Sequence, residues 1–298
     1  MDTLPTTEHA NPNTENLDRL TTLEMLTRIN DEDRTVADTV QRSLPAIARA
    51  VDAIADAFRR GGRLIYVGAG TSGRLGCLDA AECLPTFGVS PEMVFGIIAG
   101  GEKALLRAIE GAEDDAEAGT FAMDNVDVGS KDIVVGISAS GGAPYVRAAV
   151  KRAKELGATT VSVANSSNAP LSGDVDLPIE VVTGPEVIQG STRLKAGTAQ
   201  KLVLNMLTTG AMVRIGKTYG NRMVDVQSTN RKLVLRARRL LKEIGRVESD
   251  EVADVLLTGA EGSVKIAIVM ARRDVSAGVA RQLLQEAGGF LSVVLGEG

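Results

Sequence analysis

Five short runs, LIYVG (64–68), MVFGII (93–98), DIVVGIS (132–138), TTVSVA (159–164) and LPIEVV (177–182), alternate with stretches of helical sequence. Each run is apolar almost throughout, rather than at every second residue. Strands with that pattern are buried on both faces, which indicates a parallel sheet covered by helices on either side. The predicted fold is therefore α/β, a doubly wound five-stranded parallel sheet in the order 2-1-3-4-5. In that order strands one and three are neighbours. The crevice beyond their carboxyl ends is the switch point where such folds bind ligands.

The sheet accounts for only part of the chain. Residues 1–17 are polar and contain Pro and Asn, and read as a disordered tail. Residues 18–62 read as N-terminal helices: Thr21 and Glu24 have capping-box spacing and open a short helix through Ile29. Val36, Val40, Leu44, Ile47, Val51, Ile54 and Phe58 then trace one apolar helix face, bent at Pro45. Residues 63–225 form the sheet domain, whose last helix runs over 198–216. Residues 226–298 read as a C-terminal helical domain of three helices. The first is basic through Arg231, Lys232, Arg236, Arg238, Arg239 and Lys242, and reads as a solvated or subunit-facing surface.

Composition narrows the function. A net charge of −5 argues against nucleic-acid or anionic-membrane partners, which reward clustered positive charge. No apolar run approaches the ~20 residues of a membrane span, and the start MDTLPTTEHA lacks the features of a secretory signal. Cys77 and Cys83 form no C-x-x-C pair and read as reduced thiols of a cytoplasmic protein. The only histidine, His9, lies in the tail. A zinc site is thus not expected, nor any other metal, and acid–base work falls to carboxylates, lysine or tyrosine.

After strand one, Gly68-Ala69-Gly70-Thr71-Ser72-Gly73 matches the dinucleotide fingerprint G-x-G-x-x-G. That reading needs an acidic residue closing strand two, but the strand ends Ile97-Ile98-Ala99-Gly100-Gly101. Gly216-Lys217-Thr218 is not a P-loop, because it follows a helix and has Ala211 where a glycine is required. A phosphate monoester fits better. Gly70, Thr71, Ser72 and Gly73 after strand one, and Ser138, Ser140 and Gly141 after strand three, bring hydroxyls and glycines to the switch point. Both loops open helices, whose free N–H groups attract anions. Ser191, Thr192 and Lys195 in GSTRLK form a candidate second clamp, and Glu186 a further acid candidate.

Long blocks carry a resemblance: LTTLEMLTRINDED (20–33), GAGTSGRLGCLDAAECLPTFG (68–88), IAGGEKALLRAIEGAEDD (98–115), GPEVIQGSTRLKAGTAQKLVLNML (184–207) and YGNRMVDVQSTN (219–230). In them the chain resembles the sugar-isomerase domain superfamily and, within it, the N-acetylmuramic acid 6-phosphate etherases. The resemblance implies a homodimeric lyase without a cofactor. It would release D-lactate from a small-molecule sugar phosphate, leaving N-acetylglucosamine 6-phosphate. It also implies that Glu82, in DAAEC, and Glu113, in EGAEDD, are the catalytic pair. One departure is visible: the family's usual Ser-Gly-Arg-Thr-Pro-Tyr reads Ser140-Gly141-Gly142-Ala143-Pro144-Tyr145 here, without the guanidinium.

Two glutamates suit an ether cleavage by elimination, which needs one ionised and one protonated group near neutral pH. Glu82 lies ten residues beyond Ser72, ~15 Å along a continuous helix. Either the helix breaks early, or Glu82 reaches the phosphate loops of a second subunit; the second reading is preferred and makes the site one shared across a dimer. Two other functions share the phosphate loops: an aldose–ketose isomerase, and a non-catalytic sugar-phosphate sensor. Lactate release separates the etherase from both.

Overall fold

Capping decides where the chain first becomes helical. The computed structural model describes residues 4–225 and 231–296, with the side chains of Arg231 and Lys232 outside that description. The block 226–230 of the resemblance also lies outside the described residues. Thr21 and Glu24 form the expected box: Thr21 Oγ1 accepts the Glu24 N–H at 3.4 Å, and the Glu24 carboxylate accepts the Thr21 N–H at 2.9 Å. From there α1 (Thr22–Arg42) runs well past Ile29. The chain breaks at Ser43 and restarts as α2 (Leu44–Arg59), with Pro45 in the first turn. Pro45 thus opens a new helix instead of bending a single one, since a first-turn position needs no N–H.

The five strands β1 (Leu64–Gly68), β2 (Val94–Ile98), β3 (Ile133–Ile137), β4 (Thr159–Ala164) and β5 (Leu177–Glu180) pair in parallel in the order β2-β1-β3-β4-β5. Between and after them lie α3 (Gly70–Ala81), α4 (Cys83–Phe87), α5 (Lys103–Leu106), α6 (Ala116–Asn125), α7 (Pro144–Glu155) and α8 (Lys195–Arg214). Alternate residues of β1 serve opposite layers. Ile65 and Val67 pack in one core with Met123, Val146 and Val150 of α6 and α7. Tyr66 faces the other way, where its hydroxyl donates to Asp79 of α3 at 2.9 Å. Asn205 and Thr208 of α8 donate to the same carboxylate at 2.6 and 3.3 Å, tying α3 to α8. Burial pushes the Asp79 carboxyl upward against these three donors.

The chain divides into two compact units: residues 1–81 with 91–210, and residues 82–90 with 211–298. The expected boundary at 225/226 therefore shifts, because α4 and the end of α8 belong with the helical unit. That unit also holds the hairpin β6 (Thr218–Tyr219) and β7 (Arg222–Met223) and the helices α9 (Arg231–Glu243), α10 (Asp250–Gly259), α11 (Val264–Arg273), α12 (Ala277–Glu286) and α13 (Leu291–Leu295). Two of the three expected helices are each divided: Ser263 caps α11, and positive φ at Gly288 and Gly289 ends the run before α13. The basic face of α9 is partly paired. Arg238 bonds Asp254 at 2.7 Å through Nε, and Lys242 bonds Asp250 at 2.6 Å, so acids of α10 neutralise two of its cations.

Residues 4–17 correct a further expectation, since they are packed instead of forming a disordered tail. Thr7 is fully buried, Asn11 and Thr14 nearly so, and Thr14 Oγ1 donates to the Val187 carbonyl at 2.9 Å. Among the described residues no helix is long and apolar enough to cross a membrane.

Candidate active site

At the carboxyl ends of β1 and β3 lies a cavity of about 410 Å³. The glycines of the fingerprint explain how α3 comes to open on it. A Cβ on Gly68 would lie 2.6 Å from the Gly73 nitrogen, and one on Gly73 would lie 2.7 Å from the Gly68 carbonyl oxygen. These two residues let the helix settle directly on the strand, whereas Gly70, at φ +52°, makes the turn. Gly73 therefore packs the fold and does not line the cavity; Gly70, Thr71 and Ser72 do.

The second wall is the loop after β3. Ser138 and Ser140 line the cavity, and Gly142, Ala143 and Pro144 follow them along it. Ser138 Oγ accepts the Gly141 N–H at 3.2 Å, and Ser140 Oγ accepts the Gly142 N–H at 3.1 Å. Each hydroxyl oxygen thus takes a backbone proton and keeps its own proton to donate to a ligand. Gly141 itself, at φ +72° against Ala169, shapes the loop and does not reach the cavity. Gly190 and Thr192 supply a third wall, and Glu113 and Asp114 a fourth. The lining residues include no lysine or arginine. Among the described residues, the donors that face the cavity are therefore hydroxyls and helix N-termini.

Three expected ligand contacts belong to a different arrangement. Ser191 does not line the cavity, and Lys195 turns its ammonium to Glu32 at 2.6 Å, with only 4% of its side chain exposed. Glu186 is fully buried, accepting the N–H groups of Lys195 at 2.8 Å and Ala196 at 2.9 Å. It completes the first turn of α8 and has no access to a ligand. Burial pushes its carboxyl up, opposed by those N–H groups and by the Lys195 charge. Glu32, by contrast, is held down by Lys195, Asn13 and Asn11 against the cost of its burial.

Of the two glutamates in the implied catalytic pair, Glu113 is exposed on the cavity wall, at the 3-10 turn Ala112–Asp114. Glu82 stands directly after α3, at the start of α4, and does not line the cavity. Sequence reasoning missed Glu8, which lines the cavity from the supposed tail, and Asp114 beside Glu113. Nothing local marked Glu8, because the contacts that place its segment span more than 170 residues. A smaller cavity of about 190 Å³ adjoins through the shared residues Ala69, Gly70 and Glu113, and alanines make up half of its lining.

The parallel sheet with hydroxyl-rich loops at its switch point is that of a sugar-isomerase (SIS) domain, as the family models show. Residues 46–154 match the model of the glucokinase regulatory protein N-terminal SIS domain, and residues 113–210 that of the SIS domain. Phosphoheptose isomerases from Francisella tularensis and Neisseria gonorrhoeae share the fold, with TM-scores of 0.50 and 0.51. Their identities are 18% and 16%, over 64% of this chain and 98% of each of those chains. Far closer in sequence is the N-acetylmuramic acid 6-phosphate etherase of Aeromonas hydrophila subsp. hydrophila, 53% identical over 96% of both chains. Those of Rhodopirellula baltica and Yersinia pestis are 52% and 53% identical over 97% of this chain and 96% and 97% of theirs. The chain belongs to the N-acetylmuramic acid 6-phosphate etherase family.

Proposed function

We propose that this chain is a carbon–oxygen lyase that cleaves the D-lactyl ether of N-acetylmuramic acid 6-phosphate. Water is consumed, and N-acetylglucosamine 6-phosphate and D-lactate are formed, a step in cell-wall amino-sugar recycling or catabolism. The observation that carries the reading is kinship over nearly the whole chain with etherases of that name, in a molecule whose switch-point cavity is lined by proton-donating hydroxyls.

The chemistry fits carboxylates. An alkyl ether resists direct hydrolysis because an alkoxide leaves poorly. Opening the sugar ring exposes the C1 aldehyde and acidifies the C2 proton. A base removes that proton, the C3–O bond breaks as an acid protonates the departing oxygen, and water adds to C3 of the enal. No electrons are gained or lost overall, so no redox cofactor is required. Ser72, Ser138, Ser140, Thr71 and Thr192 are the groups suited to the phosphate, with the N-terminus of α3. Glu113 is one member of the acid–base pair, and Glu82 the other.

The 12 residues of α3 span ~18 Å, so Glu82 stands far from the loop at its other end. This supports a homodimer in which Glu82 serves the loops of the second copy. Neither Cys77 nor Cys83 is in a disulfide, which suits a reducing cytoplasm.

The test is the reaction run in D2O and in heavy-oxygen water. Elimination and re-addition put deuterium at C2 and labelled oxygen on the C3 hydroxyl, with the ether oxygen retained by lactate. Displacement at the lactyl carbon gives no deuterium and labelled lactate. Exchange at C2 without lactate release would identify an isomerase instead.

A further inference from the structure

Apart from the two serine loops, the Gly190–Thr192 turn and the Glu113 turn, one more segment reaches the cavity: the stretch before α1. Its hold on the α/β unit is specific. Asn11 Nδ2 donates to Glu32 Oε2 at 2.9 Å, Asn13 Nδ2 donates to Glu32 Oε1 at 2.8 Å, and Glu32 in turn pairs with Lys195. Further along, Gln189 Nε2 donates to the Glu8 carbonyl at 2.8 Å. These bonds set Glu8 beside the Gly190 turn, where a Cβ on Gly190 would lie 3.0 Å from Glu8 Oε2. Its carboxylate lines the cavity with the serines of both loops. Among the described residues no cation pairs with it.

The chemistry of the walls is complementary. The loop side offers donors, which suit phosphate oxygens. Glu8 offers only acceptors, which a phosphate would avoid and sugar hydroxyls would seek. We infer that Glu8 is a substrate-contacting residue, which accepts hydrogen bonds from hydroxyls of the sugar while its phosphate rests on the serine loops. The segment 4–19 is then a wall of the site that selects a polyhydroxylated phosphate over phosphate alone. This rests on the sugar-phosphate reading above.

The test compares two probes, N-acetylglucosamine 6-phosphate and inorganic phosphate, on the full chain by calorimetry. Glu8→Ala should weaken the sugar phosphate about tenfold, the loss of a hydrogen bond to a charged group, and leave inorganic phosphate within twofold. Glu8→Gln, which keeps one acceptor, should lie between the two. Asn11→Ala, which loosens the anchor, should move the same ratio in the same direction. Unchanged affinity for both probes in Glu8→Ala overturns the inference. So does an equal loss for both, which would make Glu8 a structural pin. A natural chain that binds the sugar phosphate no better than inorganic phosphate would overturn the sugar-phosphate reading itself, and this inference with it.

Discussion

The N-termini of α3 and α8 belong to the same unit, and each helix begins beside residues that sequence reasoning marked for a ligand. Only one of them is available. At α8 the chain supplies its own anion: the Glu186 carboxylate accepts the first N–H groups, and Glu32 neutralises Lys195. At α3 the corresponding turn, Gly70 to Ser72, opens on a cavity of about 410 Å³. A helix N-terminus attracts negative charge wherever it occurs. It becomes a binding site only where the fold leaves that charge to be brought from outside.

The largest expected effect separates the glutamates at the two places. Glu113→Gln should lower the rate of lactate release by about 10²–10⁴-fold, the usual range for loss of a general acid or base. Because the side chain is exposed, the melting temperature should hardly change. A variant with near-natural turnover would remove Glu113 from the chemistry and leave the α3 cavity with binding alone.

Next comes the anion built into α8. Glu186→Ala leaves two buried N–H groups unanswered and should cost about 1–3 kcal/mol of stability, with KM unchanged within twofold. Its pH dependence has a definite sign. Because burial raises the folded-state value above the ordinary 4.5, the natural chain's contribution from this group is present below that value and is lost as pH rises through the raised one. Glu186→Gln has no such loss, so its stability relative to the natural chain should rise with pH in thermal melts. The opposite slope would mean that the N–H groups and Lys195 outweigh burial.

Much of this was legible in the sequence, and the failures share a cause. The five strands and their order were readable because burial on both faces leaves an unbroken apolar run. The serine loops were readable because a strand, a glycine and a helix stand consecutively in the chain. The pairing of Lys195 and Glu186 is not legible there: a carboxylate nine residues before its N–H partner has no local signature, and an ammonium paired with Glu32 across 163 residues has none either. The packing of residues 4–17 was hidden for the same reason. Its side chains are polar, and their partners are backbone carbonyls of a loop more than 170 residues on.

Smaller effects belong to the hydroxyls that distinguish the α3 side. Ser72→Ala and Ser140→Ala should each raise KM about tenfold with little change in kcat, since each removes one donor to a charged group in the bound state. A matching fall in kcat would mean that the serine acts mainly in the transition state. Thr198→Ala, on α8 with its hydroxyl bonded to the Leu194 carbonyl at 2.9 Å, should leave KM alone.

The smallest effect concerns the charge that the α3 cavity lacks. Gly142 is exposed on the cavity wall, has no positive φ, and a Cβ there would meet only Ser140 Oγ, at 3.4 Å. Gly142→Arg can therefore be accommodated without backbone strain, and it places a guanidinium beside a site that has only neutral donors and carboxylates. Exposed charge pairs contribute about 0.2–1 kcal/mol, so inorganic phosphate should bind roughly 1.4- to fivefold more tightly. The gain should fade as salt is raised, because an exposed pair is screened. The guanidinium also finds Glu113 and Asp114 on the same cavity. If it pairs with them instead, phosphate affinity stays level and turnover falls. That outcome would show that the site binds its anion without a cation because its carboxylates must remain unpaired.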